Sequence, residues 1–317
     1  MDRARGLRLP LIYQFPMGRL SLAQTFDERG ETIKTARKAK PIEHPHENIG
    51  DEDYMKQAEG KRIRVLYAGD GEFVVRTVAK GLGYYITGSF VEESLYLRRA
   101  LESDPGIKVD HLHTHLAIAD FPRTARELVD SYEVVILSDI PSDSLIFYPD
   151  MLQVPMGPNR LKSIQDFVAE GGGFLMCGGW SSFGGHQGGA RYHNTPVEEI
   201  LPVVIHEGDD RVEVPEGFRF NVENTSHAIM AGIPWKTADF ILMGYNKVTP
   251  KPQATVLASF QGDPMICVGE YHSGRAMAFA PDCAPHWAGT FINWEHYPRF
   301  WIQSIRWLAK RVKSNGN

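Results

Sequence analysis

The sequence is poor in cysteine: its 317 residues hold three, Cys177, Cys267 and Cys283. An odd, sparse set in a chain of this length builds no disulfide framework and points to a reducing, cytoplasmic location. Basic charge is not in excess either, with 34 Lys and Arg against 39 Asp and Glu and a net charge of −5. Nucleic acid and anionic membrane both call for a concentrated basic face, so neither is expected as a partner. No run of about eighteen apolar residues occurs, so no spanning helix is expected. Arg8, Pro10 and Gln14 interrupt the apolar residues after Met1–Gly6, so no secretory leader is expected. The chain also lacks a Gly-Lys-Ser/Thr phosphate loop and a Gly-x-Gly-x-x-Gly after a strand, which speaks against a nucleotide cofactor.

What is present divides in two. Residues 1–60 read as an N-terminal extension or arm. From Phe26 to Gly60 they are rich in charge and poor in large apolar groups, and such a segment buries little core. Two readings stand: a flexible tail, or an arm whose apolar patch (Leu11, Ile12, Tyr13, Phe15, Met17) packs on a neighbouring subunit and makes a homo-oligomer. Residues 61–317 read as one α/β domain. Arg62–Gly69, Ile107–His115, Glu133–Asp139 and Phe174–Cys177 read as strands, the third with the continuous apolar centre of a buried parallel strand. Between them fall helices: one opened by a capping box at Ser89 and Glu92 and stopped by Asp104–Gly106, one over Thr124–Ser131, and one capped by Asn159. Alternation of strand and helix with right-handed crossovers is a doubly wound, mostly parallel sheet. Ala254–Phe260 and Met265–Tyr271 flank Gln261–Pro264 as a C-terminal β-hairpin extension. Gly274–Ala280 is a further strand and Pro298–Val312 a last helix.

Ligands of such sheets bind beyond the carboxyl ends of the strands. That rule singles out Asp70, His113, His115, Asp139 and Cys177. Cys177 precedes Gly178 and Gly179, small neighbours that a nucleophile elbow needs; the plainer alternative is a small apolar residue closing a core strand. His111, His113 and His115 share one face if extended. Same-face positions lie about 6.5–7 Å apart, so three ligands from one strand converge poorly: a strand end where one His reaches the pocket is the plainer reading, no metal is assigned, and a metal held by His113 or His115 is the alternative. The glycine-rich loop Ser181–His193, with His186, Arg191 and Tyr192, is a set of turns or a lid over a small-molecule substrate. Trp180 and Trp287 suit a pocket wall. His286 is either a base or a cap on local carbonyls.

Several segments together resemble the class I glutamine amidotransferase-like superfamily. They are Gly171–Trp180, Gly189–Tyr192 with Thr195–Pro196 and Leu201–Val203, Ser226–Pro234, Gly274–Arg275 and Asp282–Trp287. The resemblance covers about residues 62–310 and extends to ThuA-like trehalose-utilisation proteins. It implies a flavodoxin-like fold and a Cys-His-Glu triad hydrolysing an amide, with Cys177 as nucleophile and His286 as base. The His-x-Glu pair of that triad is missing: residue 288 is Ala, and no His-x-Glu occurs in the chain. The alternatives are processing or binding of a sugar derivative without thiol chemistry, and a non-catalytic assembly role.

Overall fold

A computed structural model of the protein describes residues 62–150 and 157–311. The expected arm at 1–60 lies outside the described residues. In chain order the elements begin with β1 (Ile63–Gly69), β2 (Gly71–Lys80), β3 (Gly83–Glu92), α1 (Leu95–Glu102), β4 (Ile107–Leu112), α2 (Thr114–Asp120), α3 (Ala125–Ser131) and β5 (Val134–Ser138). They continue with α4 (Asp143–Ile146), α5 (Arg160–Ala169), β6 (Gly173–Cys177), α6 (Pro196–Ile200), β7 (Val203–Ile205), β8 (Arg211–Phe218) and β9 (Asn221–Val222). The last are β10 (Leu242–Asn246), β11 (Val248–Pro250), β12 (Thr255–Phe260), β13 (Asp263–Tyr271), β14 (Gly274–Phe279) and α7 (Tyr297–Leu308).

The main sheet has eight strands in the order β4-β1-β5-β6-β14-β13-β12-β9. Its first five strands are parallel and the remaining pairings antiparallel. This is the expected flavodoxin-like arrangement, and the β12–β13 hairpin continues the sheet instead of standing apart. Every residue of β5, β6 and β14 is buried, as strands covered on both faces must be. Helix α7 lays Phe300, Trp301, Ile305 and Leu308 into the core, where Phe279 of β14 meets the Trp301 ring edge-on at 5.0 Å.

Local chemistry sets several boundaries as the sequence indicates. Thr124 Oγ1 accepts the Glu127 amide at 3.2 Å and Glu127 Oε2 accepts the Thr124 amide at 3.2 Å, a complete capping box for α3. Asn159 Oδ1 accepts the Leu161 amide at 3.0 Å and starts α5. The expected helix start at Ser89 is wrong. Ser89 is a strand residue opposite Val74, and α1 begins after Ser94. Residues 71–92 form a two-stranded antiparallel ribbon closed at Gly81-Leu82. Its β-branched and aromatic content (Val74, Val75, Thr77, Val78, Tyr84, Tyr85, Ile86, Thr87) favours extended backbone and outweighs a four-residue helix-start pattern. Both strands of the ribbon are largely exposed, Phe73, Val75, Leu82, Tyr84 and Ile86 among them.

Arg160 is fully buried at the first helical position of α5, a poor place for a cation by helix dipole alone. It is held by carbonyls: Nη1 donates to Ala117 at 2.7 Å, and Nη2 to Ile118 at 2.8 Å and Phe147 at 2.9 Å. The guanidinium thereby ties together the ends of α2 and α4. Replacing it leaves the Ile118 and Phe147 carbonyls without this donor, while the Ala117 carbonyl keeps the Phe121 amide at 3.2 Å. Arg160→Met is predicted to cost about 2–4 kcal/mol in urea unfolding, and an unchanged midpoint would refute this role.

Candidate functional site

The strands deliver their last residues to one end of the sheet. β1 ends at Gly69 and β5 at Ser138, and the residues that follow, Asp70 and Asp139, both take left-handed backbone with φ of 47° and 45°. Asp is among the few non-glycine residues that tolerate this conformation, at a modest cost in strain. The turn at Asp139 is fixed from two sides: its amide donates to Ser182 Oγ at 3.0 Å and its Oδ1 accepts the Ser181 amide at 2.5 Å. Gly179 must be glycine, because at its φ of 152° a Cβ would lie 2.7 Å from Asp139 Oδ1. At Gly178 a Cβ would meet the Ala280 carbonyl at 2.0 Å. These two glycines serve backbone packing at the strand end.

Asp139 opens into a cleft of about 300 Å³ lined by Glu72, Glu93, Asp139, Trp180, Asp282, Pro285 and His286. Of the residues expected in a pocket, it gathers Asp139, Trp180 and His286. Glu72 and Glu93 come from the ribbon and its junction with α1. Asp282 and Pro285 follow β14. Trp180 is 43% exposed. His186 stacks on its ring at 5.0 Å, His286 meets it edge-on at 5.8 Å, and the Arg211 guanidinium lies 4.5 Å from the ring centroid.

Glu93, Asp139 and Asp282 hold their protons unusually well. Burial, reinforced by Glu72 and Asp139, pushes Glu93 up to about 7. Burial pushes Asp139 up to about 6, against the amide hydrogen bond from Ser181. Asp282 is raised well above the ordinary range by burial and by Asp70. Asp70 lies beneath the cleft. Its Oδ2 accepts from Tyr67 Oη, its Oδ1 has no hydrogen-bond partner, and burial with the charge of Asp139 pushes it up to about 7.

Cys177 is placed differently from the expected nucleophile. It is the last residue of β6, with zero exposure and strand pairing to Ser138 and Phe279, and its backbone is not in the left-handed region. The segment after it turns through 3-10 and bend geometry, so no α-helix follows an elbow. Burial raises the thiol, against a hydrogen bond from Cys283. Cys283 is itself buried beside Ser138 Oγ at 3.4 Å and Asp70 Oδ2 at 3.8 Å. Both sulfurs belong to the packed layer under the cleft.

The glycine-rich loop is pinned from below. Gly184 and Gly185 donate to Asp210 Oδ2 and Oδ1, both at 2.8 Å. Asn246 Nδ2 donates to Asp210 at 2.8 Å, and Asn246 Oδ1 accepts the Gly179 amide at 2.9 Å. A loop so bonded is no mobile lid. Asp210 and Asn246 carried no signal in the sequence. Tyr192 is buried with its hydroxyl donating to the Ile140 carbonyl at 2.8 Å, so it supports the loop. Trp287 is likewise fully buried and donates to Glu213 Oε2 at 2.8 Å, so it walls no pocket. Arg191 points to solvent and pairs with Asp143 at 3.1 Å. His113 and His115 sit away from the cleft lining. β4 ends at Leu112, His113 caps α2 and His115 lies in its first turn, so the three histidines do not share a strand face. His111 instead faces His113 at 4.5 Å, ring to ring.

Among the described residues no helix is long and apolar enough to cross a membrane. The profile of a family described as "Putative glutamine amidotransferase" matches residues 64–310. Two solved cytoplasmic proteins of Salmonella typhimurium are similar. One is 32% identical with a TM-score of 0.73, covering 78% of this chain and 99% of its own. The other, from strain LT2, is 35% identical with a TM-score of 0.72 over the same shares, 78% and 99%. A ThuA-like protein of Parabacteroides merdae aligns at 10% identity and a TM-score of 0.49 over 81% of this chain and 93% of its own. No curated relative matches. With a profile spanning most of the chain and two relatives above 30% identity along nearly their whole length, the chain belongs to the glutamine amidotransferase-like family.

Proposed function

We propose that the cleft takes an uncharged polyhydroxylated molecule, of the sugar or polyol class, and works on it by carboxylate acid–base chemistry without a thiol. The observation that carries this reading is the set of proton-holding carboxyls, Glu93, Asp139 and Asp282, around one cleft with an exposed Trp180. A carboxyl that titrates near neutrality can give a proton at one step and take it back at the next. Glu93 and Asp139 are the acid–base pair in this reading. Trp180 offers an apolar face for a sugar ring, and His286 closes the wall beside it. Amide hydrolysis by Cys177 would require an ionised sulfur exposed to substrate, and the thiol is buried with its proton held more tightly than usual. A cytoplasmic setting belongs to the same proposal, supported by three unpaired cysteines and by the two Salmonella relatives.

Three measurements test it. A panel of sugars and polyols, titrated by calorimetry, is expected to include at least one saturable ligand whose affinity falls at least tenfold in Trp180→Ala and in Glu93→Gln. Glutamine turnover abolished by Cys177→Ser would overturn the reading.

Iodoacetamide is expected to label Cys177 only after denaturation. Rapid labelling of the native protein with an apparent pKa below the free-thiol value of ~8.5 would restore the nucleophile.

The third test is pH. Glu93 binds its proton more tightly folded (about 7) than unfolded (~4.3). Its contribution to stability is therefore full below about pH 4 and is lost as pH rises to about 7. Glu93→Gln is expected to raise the melting temperature more at pH 8 than at pH 5; equal shifts at both would show that Glu93 titrates normally.

A further inference from the structure

The base of the β2–β3 ribbon presents a second constellation, separate from the cleft and made by Glu92, His111 and His113. One ligand atom from each lies within 4.8 Å of the others. The three come from different places: the end of β3, the penultimate residue of β4, and the N-cap of α2. Their convergence removes the objection that same-face histidines on one strand stand too far apart. We propose that this is a binding site for one divalent transition-metal ion of the zinc class, with Glu92, His111 and His113 as its protein ligands.

Hydrogen bonding sets the donor atoms. His111 Nε2 is 2.9 Å from the Gly69 carbonyl. A carbonyl only accepts, so Nε2 carries the proton and Nδ1 keeps its lone pair, the arrangement by which backbone oxygens orient metal-binding imidazoles. That lone pair faces Glu92 Oε1 at 3.9 Å, and His113 Nε2 lies 3.5 Å from Glu92 Oε2. Two donors stand nearby: the Ser94 hydroxyl, which bonds Glu92 Oε1 and stands 3.4 Å from His111 Nδ1, and Arg98 Nη1, which lies 3.8 Å from Glu92 Oε1. One hydroxyl hydrogen cannot serve both acceptors. With the Ser94 hydrogen on Glu92, the Nδ1 lone pair of His111 is left without a donor, and a metal cation would take that lone pair together with the Glu92 carboxylate and the His113 ring.

The dimensions agree. Ligand atoms bound about 2.0–2.1 Å from a tetrahedral ion stand about 3.3 Å apart. The histidine nitrogens lie 3.5 and 3.9 Å from the two different Glu92 oxygens, and one ligand atom from each residue lies within 4.8 Å of the others, so closing on an ion takes side-chain movement of up to about 1.5 Å. Gly71 makes room for the site, since a Cβ there would lie 2.5 Å from His113 Nδ1. Two imidazoles and one carboxylate suit zinc, iron(II) or cobalt(II) more than magnesium or calcium, which take oxygen ligands. Glu92 and His113 side chains are 27% and 25% exposed, so an ion has an approach and a fourth position is left for water.

The test uses the untagged full-length protein stripped with chelator. Calorimetric titration with Zn²⁺ is expected to show one equivalent bound at micromolar Kd or tighter. Co²⁺ is expected to give the intense visible absorption of a four- or five-coordinate nitrogen–oxygen site. Glu92→Gln and His113→Ala are each expected to weaken Zn²⁺ binding at least a hundredfold, while His115→Ala, two residues away and outside the ligand set, leaves it unchanged. No binding at 10 µM Zn²⁺ overturns the proposal, as does binding that survives both ligand substitutions. Should a variant fail to fold, the cobalt spectrum of the wild-type protein decides alone: a weak, octahedral aquo-type spectrum refutes the site.

Discussion

Asp139 meets two opposing demands, and much of the site follows from how they are reconciled. Its position at the end of a fully buried strand removes water from the carboxylate, which favours the protonated form. The Ser181 amide meanwhile donates to Oδ1 and favours the ionised form. The balance falls near pH 6, and the neighbours feel it: the charge of Asp139 is part of why Asp70 and Glu93 both rise to about 7. The same residue shapes the backbone around it. Its carboxyl occupies the space a side chain at Gly179 would need, and its amide holds Ser182. The segment bearing Trp180 therefore leaves β6 in one direction only.

The parallel core was legible because its physics is local. Continuous apolar runs gave β1, β5 and β6, and side-chain caps at Thr124 and Asn159 gave α3 and α5. The ribbon was not. Ser89 and Glu92 satisfy the spacing of a capping box and of a pleated strand alike, and only pairing with residues 71–80 decides between them. That error propagates to the site, since Glu72 and Glu93 reach the cleft through the ribbon. The strand-end rule nominated Asp139, which lines the cleft, Asp70, which is outside its lining, and Cys177, which closes β6 with its thiol buried beside Cys283. Asp210 and Asn246 have neither motif nor spacing to announce them. Their role exists only once β8 and β10 pair beneath the loop.

Family membership and chemistry part company at this point. The shared fold brings strand ends, glycines and a cysteine to one end of the sheet, yet function belongs to the groups that reach a ligand. In the proposed reading those groups are carboxyls, an indole and an imidazole. Cys177 is buried, with Ser138 and Phe279 as its strand partners.

The left-handed turns at Asp70 and Asp139 have an evolutionary consequence. Asparagine tolerates that backbone as well as aspartate does, keeps an Oδ1 that can accept the Ser181 amide at position 139, and is one nucleotide away from it in the genetic code. A lineage can therefore neutralise either carboxyl in a single mutational step and keep the turn, the sheet and the loop above it. In this scaffold the chemistry is easier to lose than the architecture, so paralogues of identical shape and silent sites are an outcome the geometry permits at little structural cost.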